Sequence, residues 1–300
     1  MEGAMKKVLF LASGILAALI AGGPAMAADI GIGAPPPAYA PVNDWSGFYV
    51  GGHAGYGWGH DPFTSSVGGL QGGIPGFQSF NVPPVTLTGI DPKGFVGGAH
   101  FGYNQQWGSW VGGLEVDISG TAMKASTANT STGSIASTQT ASDGFTVITT
   151  TTTQPVTNTA SQSDSFDLLG SARARLGGLV SPNLLLYGTG GLAWTRFVMN
   201  TNQTQTIGAA GGINGSTTTV AVQSPVWMFG WVAGVGGEAK IYNSNWLFRV
   251  EYLHYDFGDR GGSTLTNNSG VISTTTQTSG HLTADVVRAG ISYKFGGSPI

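Results

Sequence analysis

Hydrophobic and polar positions alternate with a period of two along many short stretches of this chain. In Val287-Arg288-Ala289-Gly290-Ile291-Ser292-Tyr293-Lys294-Phe295 the odd positions are apolar or aromatic, and the even ones are charged, small or hydroxylic. Such alternation places the two sets on opposite faces of a β-strand. Leu114, Val116 and Ile118 alternate in the same way with Glu115, Asp117 and Ser119. Phe248, Val250 and Tyr252 alternate with Arg249 and Glu251, and Ala233, Val235 and Gly237 oppose Glu238 and Lys240. Over 166–177 the pattern sets Phe166, Leu168, Gly170, Ala172, Ala174 and Leu176 against Asp167, Leu169, Ser171, Arg173, Arg175 and Gly177. Eight strands are predicted, at 46–58, 94–107, 110–121, 165–178, 184–197, 226–240, 246–257 and 285–295. Each holds the roughly 9–11 residues a tilted strand needs to cross a bilayer.

The connections alternate in length. Gly108-Ser109, Ser181-Pro182-Asn183 and Tyr242-Asn243-Ser244-Asn245 are short and made of turn-forming residues. Long connections occupy 59–93, 122–164, 198–225 and 258–284. In the second of these, 20 of the 40 residues at 124–163 are Ser or Thr, and only Lys124 and Asp143 carry charge. Structureless segments of that length are rare in compact soluble domains. Short turns on one side and long loops on the other, with an even strand number, are the plan of outer-membrane barrels. The expected fold class is all-β, an eight-stranded antiparallel up-and-down transmembrane β-barrel.

Composition sharpens which face points where. Charged residues make up 9% of the 300-residue chain, against roughly 25% in soluble domains. A charge on the lipid face costs about 2–4 kcal/mol near the bilayer midplane, so the charged parity belongs inside. Glu115, Asp117, Asp167, Arg173, Arg175, Arg249, Glu251, Arg288 and Lys294 are thereby expected to form a lumen charge network. An eight-stranded barrel is wide enough only for its side chains to fill, so this network reads as a plug. Gly51, Gly55, Gly57, Gly98 and Gly102 share the inward parity, where a narrow barrel has little room. Trp45, Phe48, Trp58, Trp107, Trp110, Trp194, Trp227, Trp246, Tyr255 and Phe295 stand at strand ends, the positions of interfacial girdles.

The N-terminus reads as an export signal. Lys6 and Lys7 precede an apolar run from Val8 to Ala21, and Ala25-Met26-Ala27 supplies a small-residue cleavage site. The expected organisation is a signal peptide over 1–27, a Pro-rich flexible leader over 28–44, the barrel over 45–295 and a short tail over 296–300. No later segment offers 18 consecutive apolar residues, so the sequence predicts no membrane-spanning helix. Cysteine is absent, which excludes thiol chemistry and disulfides, and a net charge of −3 gives no reason to expect nucleic acid as a partner.

Catalytic and metal-binding patterns do not emerge. The glycines of Gly55-Tyr-Gly-Trp-Gly59 lack the strand-to-helix context of a phosphate loop. The five histidines, 53, 60, 100, 254 and 281, show no metal-ligand spacing. His60-Asp61, and His281 with Asp256 or Asp259, are the only residue types at the loop rim that a hydrolase could use. No catalytic residue, metal site or cofactor is expected, with heme contact through His60, His254 and His281 as the one exception kept in view.

Trp45-Ser-Gly-Phe-Tyr-Val-Gly-Gly-His-Ala-Gly-Tyr-Gly-Trp-Gly59, following a signal and a Pro/Ala-rich leader, resembles the first strand of small alphaproteobacterial outer-membrane β-barrel proteins. These are the outer-membrane immunogenic or porin-family proteins, hemin-binding members included. Leu186-Tyr-Gly-Thr-Gly-Gly-Leu-Ala-Trp194, Arg249-Val-Glu-Tyr252, Tyr255-Asp-Phe-Gly258 and Val287–Phe295 resemble their later strands. The resemblance implies an eight-stranded barrel in the cell outer membrane of a Gram-negative bacterium, with surface-exposed, often antigenic loops, and it supplies no catalytic residue. Gly296-Gly297-Ser298-Pro299-Ile300 departs from it by following the terminal aromatic. Expected partners are outer-membrane lipid and lipopolysaccharide, the outer-membrane assembly machinery, and host surfaces or hemin through the loops. A structural, surface-exposed protein with a plugged lumen is the leading reading; a small diffusion porin and a hemin or host-surface receptor are the alternatives.

Overall fold

A computed structural model of the chain describes residues 44–67, 70–74, 77–211, 214–241, 244–260, 267–269, 272–274 and 280–295. The expected signal peptide, nearly all of the leader and the tail lie outside the described residues. The strands are β1 (Gly47–Val67), β2 (Leu70–Ile74), β3 (Phe77–Val82), β4 (Val85–Ile90), β5 (Lys93–Trp107), β6 (Trp110–Thr121), β7 (Lys124–Ser142) and β8 (Val147–Ser181). They continue as β9 (Leu184–Ile207), β10 (Ser216–Lys240), β11 (Trp246–Arg260), β12 (Asn267–Ser269), β13 (Ile272–Thr274) and β14 (Gly280–Phe295).

Eight of these close a ring. β1 pairs with β5, β5 with β6, β6 with β8, and β8 with β9. β9 pairs with β10, β10 with β11, β11 with β14, and β14 returns to β1, every pair antiparallel. The last strand thus pairs with the first, from Phe48 opposite Phe295 to His60 opposite Thr283. Within the ring, closure leaves no free sheet edge, which is what lets backbone polar groups sit in hydrocarbon. The two faces follow the sequence parity: Leu114, Val116 and Ile118 are 68%, 51% and 53% exposed, while Glu115, Asp117 and Ser119 are 1–2% exposed.

Among the described residues, the long connections at 122–164 and 198–225 are largely strand. β8 runs for 35 residues and β10 for 25, well beyond the roughly 10 a bilayer requires. The Ser/Thr-rich stretch forms a continuous hairpin in which β7 pairs with β8 from Lys124 opposite Ser165 to Ser142 opposite Val147. Its turn is Asp143-Gly144-Phe145-Thr146, where Gly144 takes a φ of 88°. Asp143 Oδ1 accepts from the backbone N–H groups of Phe145 (2.9 Å) and Thr146 (2.6 Å). β-branched Thr suits a pleated surface, and facing hydroxyls pair across strands, as in Thr138 with Thr151 (3.1 Å) and Thr204 with Thr219 (3.2 Å).

This extended sheet has its own small core. β4 pairs with the far end of β1 and packs against β7 and β8, gathering Phe63, Val85, Leu87, Ile90 and Ala160, with Ala125 beside them. Asn129 Nδ2 donates to the Thr86 carbonyl (2.6 Å) and Ser131 Oγ to that of Pro83 (2.8 Å), tying the hairpins together.

Candidate functional site

The barrel interior is layered. Four guanidinium groups and four carboxylates meet at mid-height, all nearly inaccessible to solvent: Arg173, Arg175, Arg249 and Arg288 with Glu115, Asp117, Glu238 and Glu251. The ladder makes three of the opposite charges direct cross-strand neighbours: Glu115 with Arg173, Glu238 with Arg249, and Glu251 with Arg288. Glu115 is the hub. It accepts from Arg173 Nη2, from Arg249 Nη1 (2.5 Å) and Nη2 (3.2 Å), and from Arg175 Nη1 (3.3 Å), with Arg288 Nη2 at 3.7 Å. Tyr49 OH also donates to it (2.8 Å) and in turn accepts from Arg175 Nη1 (2.6 Å). Arg175 reaches Glu238 on its other side. Arg288 spans Asp117 (3.0 Å) and Glu251 (2.8 Å), while Tyr187 OH donates to Glu251 (2.6 Å). Room for these long side chains comes from glycine: a Cβ on Gly102 would lie 2.3 Å from Tyr49 OH, and one on Gly236 2.7 Å from the Tyr187 ring.

Beside this belt, His53 and His100 stack with Nδ1 atoms 3.2 Å apart, and their Nε2 atoms meet Ser119 and Ser292 at 2.7 Å. On the turn side a fully buried Trp45 packs with Val111, Leu185, Tyr187 and Leu247. Trp45 Nε1 donates to the Pro182 carbonyl (3.2 Å), and Lys240 Nζ lies 5.0 Å from the ring centre. On the far side the lumen fills with an apolar layer that includes Met123, Phe166, Phe197, Met228, Leu253, Phe257 and Leu282. Trp45, the charged belt and the apolar layer are thus three successive groups of inward side chains.

Comparison with known proteins accords with this architecture. The family model described as "Outer membrane protein beta-barrel domain" matches residues 15–295. The chain belongs to this family. Among curated relatives, the 31 kDa outer-membrane immunogenic proteins of Brucella melitensis biotype 1 and Brucella suis biovar 1 are each 29% identical over 278 residues, covering 90% of this chain and 93% of theirs. Among solved structures, the outer membrane protein OprG from Pseudomonas aeruginosa is similar at 14% identity with a TM-score of 0.42, over 85% of this chain and 100% of that one. The chain is an all-β outer-membrane barrel, and its place is the outer membrane.

Within this family member, seven residues singled out from sequence meet in the belt: Glu115, Asp117, Arg173, Arg175, Arg249, Glu251 and Arg288. Asp167 does not. A bulge between Phe166 and Leu168 shifts the register there, turning Phe166 inward and Asp167 out to the exterior, where it lies 3.7 Å from Arg196 with 41% of its side chain exposed. Lys294 is interior but meets no carboxylate of the belt; its Nζ donates to the carbonyls of Asp44 (2.5 Å) and Ser46 (3.0 Å), anchoring the segment that carries Trp45. Trp45 and Tyr255, expected in girdles, are both buried inside. Tyr49 and Tyr187 were missed because tyrosine parity alone does not separate a lipid-facing ring from an inward hydroxyl; the glycines opposite them, Gly102 and Gly236, are the available signal. Each of the remaining histidines faces a carboxylate near the far end of the barrel: His60 with Asp91 (2.8 Å), His254 with Asp285 (2.8 Å), and His281 with Asp256 (3.0 Å) and Asp259 (2.9 Å).

Proposed function

We propose that this protein is a non-catalytic surface protein whose barrel serves as a closed anchor for a polar, strand-built platform at the cell exterior. The observation that supports this reading is the stack of buried side-chain groups inside the ring. Trp45, the Arg/Glu belt and the apolar layer follow one another along the axis, and the length of β7–β10 is spent beyond the membrane. A diffusion pore would need a water-filled path past Glu115, which five side chains surround. The exterior face of the platform displays Thr130, Thr138, Thr151, Thr204, Thr206 and Thr217, whose hydroxyls pair across the strands. Such an uncharged hydroxyl surface suits contact with the polar sugar region of the outer leaflet and with the surroundings of the cell. The name of the Brucella relatives, outer-membrane immunogenic protein, accords with a surface that is seen from outside.

Cysteine labelling tests this directly, because the chain has no cysteine of its own. Phe145→Cys, at the tip of the β7–β8 hairpin and 99% exposed, is expected to react with a membrane-impermeant maleimide on intact cells. Ser109→Cys, in the short turn after Gly108, is expected to react only after the outer membrane is permeabilised. The reverse pattern, or labelling of both on intact cells, contradicts the proposed orientation.

A further inference from the structure

The seam between β10 and β11 holds a cavity that the closed-anchor reading does not use. From Trp231 to Lys240 the two strands are paired. Before Trp231 they part company. Gly230 lets β11 cross close by: a Cβ there would sit 1.9 Å from the Asp256 carbonyl and 2.8 Å from the Phe257 Cα. Gly258, at a φ of 71°, lies in a bulge that carries the end of β11 toward β14, where Asp259 pairs with His281. Among the described residues, β10 then has no partner but β9 over Ser216–Gly230.

The gap is a pocket of about 330 Å³ lined by Phe197, Met199, Val226, Trp227, Met228, Phe229, Phe257 and Asp259. Its floor is apolar and buried: Phe197, Met228 and Phe257 belong to the apolar layer of the lumen. Its rim is exposed: Trp227 and Phe229 stand on the outward parity of β10, 56% and 74% accessible. Asp259 is the one charged group in the lining, with its carboxylate held by His281 Nδ1. A site of this size falls at the small end of ligand pockets, and its lining offers hydrocarbon contact with no cation to receive an acid group.

We propose that this seam pocket binds a small uncharged hydrocarbon, either a free arene or alkane or the end of a lipid acyl chain reaching in past Trp227 and Phe229. The layer beneath is packed, so the pocket is a binding site and not a passage. Three methionines lie among the described residues, and they give a built-in readout: Met199 and Met228 line the pocket, while Met123 sits elsewhere in the apolar layer. In the refolded chain in lipid nanodiscs, with methionine methyls carbon-13 labelled, p-xylene is expected to shift Met199 and Met228 saturably and leave Met123 in place. Val226→Trp, which fills the mouth, is expected to raise the half-saturating concentration by roughly tenfold through steric clash. Heat-modifiable gel mobility establishes that this variant is folded.

A phospholipid spin-labelled in its acyl chain separates the two sources. Selective broadening of Met199 and Met228 before any p-xylene is added identifies a lipid chain as the occupant; a p-xylene shift without that broadening identifies a free hydrocarbon. Equal shifts of all three methyls, no shift with no broadening, or an equally strong response to octanoate would overturn the proposal.

Discussion

Replacing Glu115 by glutamine keeps the shape of the belt hub and removes its charge. Four guanidiniums lie within 3.7 Å of this carboxylate, through Arg173, Arg175, Arg249 and Arg288. At separations of 2.5–3.7 Å and an effective dielectric of about 20, each contact represents about 4–7 kcal/mol before desolvation is counted. Most of that does not appear in stability, because every guanidinium keeps another acid: Arg173 keeps Asp117 (3.2 Å), Arg175 keeps Glu238, Arg249 keeps Glu251 (3.7 Å), and Arg288 keeps both Asp117 and Glu251. What remains is one uncompensated buried positive charge, for which about 3–5 kcal/mol is the usual cost of breaking a buried pair. Urea unfolding of the barrel in phospholipid vesicles, followed by tryptophan fluorescence, measures it. Glu115→Gln should lower the unfolding free energy by that amount, whereas Asp167→Asn, on the exterior pair with Arg196, should change it by no more than about 1 kcal/mol. A Glu115→Gln loss as small as that of Asp167→Asn would refute the reasoning.

Two further outcomes follow from the two ends of the barrel. Trp45→Ala removes the ring buried on the turn side, and the same assay should register a loss of about 3–5 kcal/mol, the usual cost of deleting a buried aromatic. His281, beyond the membrane on the far side, is held above the ordinary imidazole range because Asp259 and then Asp256 bond its ring nitrogens. A raised folded-state value favours the protonated form, so this contact's contribution to stability is full below the ordinary imidazole value and fades as pH rises through the raised one. An imidazole NMR titration should place His281 above a free histidine, and Asp259→Asn should bring it down.

Strand parity carried most of the architecture into view from sequence. In β6 and β14, strict alternation meets a regular ladder, so Glu115, Asp117 and Arg288 could be assigned to the interior residue by residue. Parity fails where the ladder does: one extra residue between Phe166 and Leu168 reversed the sides of Phe166 and Asp167. The Ser/Thr-rich stretch looked like loop because its polar residues alternate with nothing apolar. Its strand character rests on Thr conformational preference and on the four-residue turn Asp143–Thr146, held by the Asp143 carboxylate. Trp45 was out of reach for another reason. Its burial comes from the backbone crossing the mouth between Lys240 and Lys294, an arrangement of residues about 200 to 250 positions apart that no local pattern encodes. The seam pocket likewise depends on two strands diverging at Gly230 and Gly258.

The central claim is that the barrel is closed through its axis. Single-channel recording of the refolded protein in planar lipid bilayers tests it most directly. The account predicts no steady, resolvable conductance for the wild-type chain, since it holds that Trp45, the Arg/Glu belt and the apolar layer together block the axis. Regular openings of uniform size in the wild-type protein would contradict it.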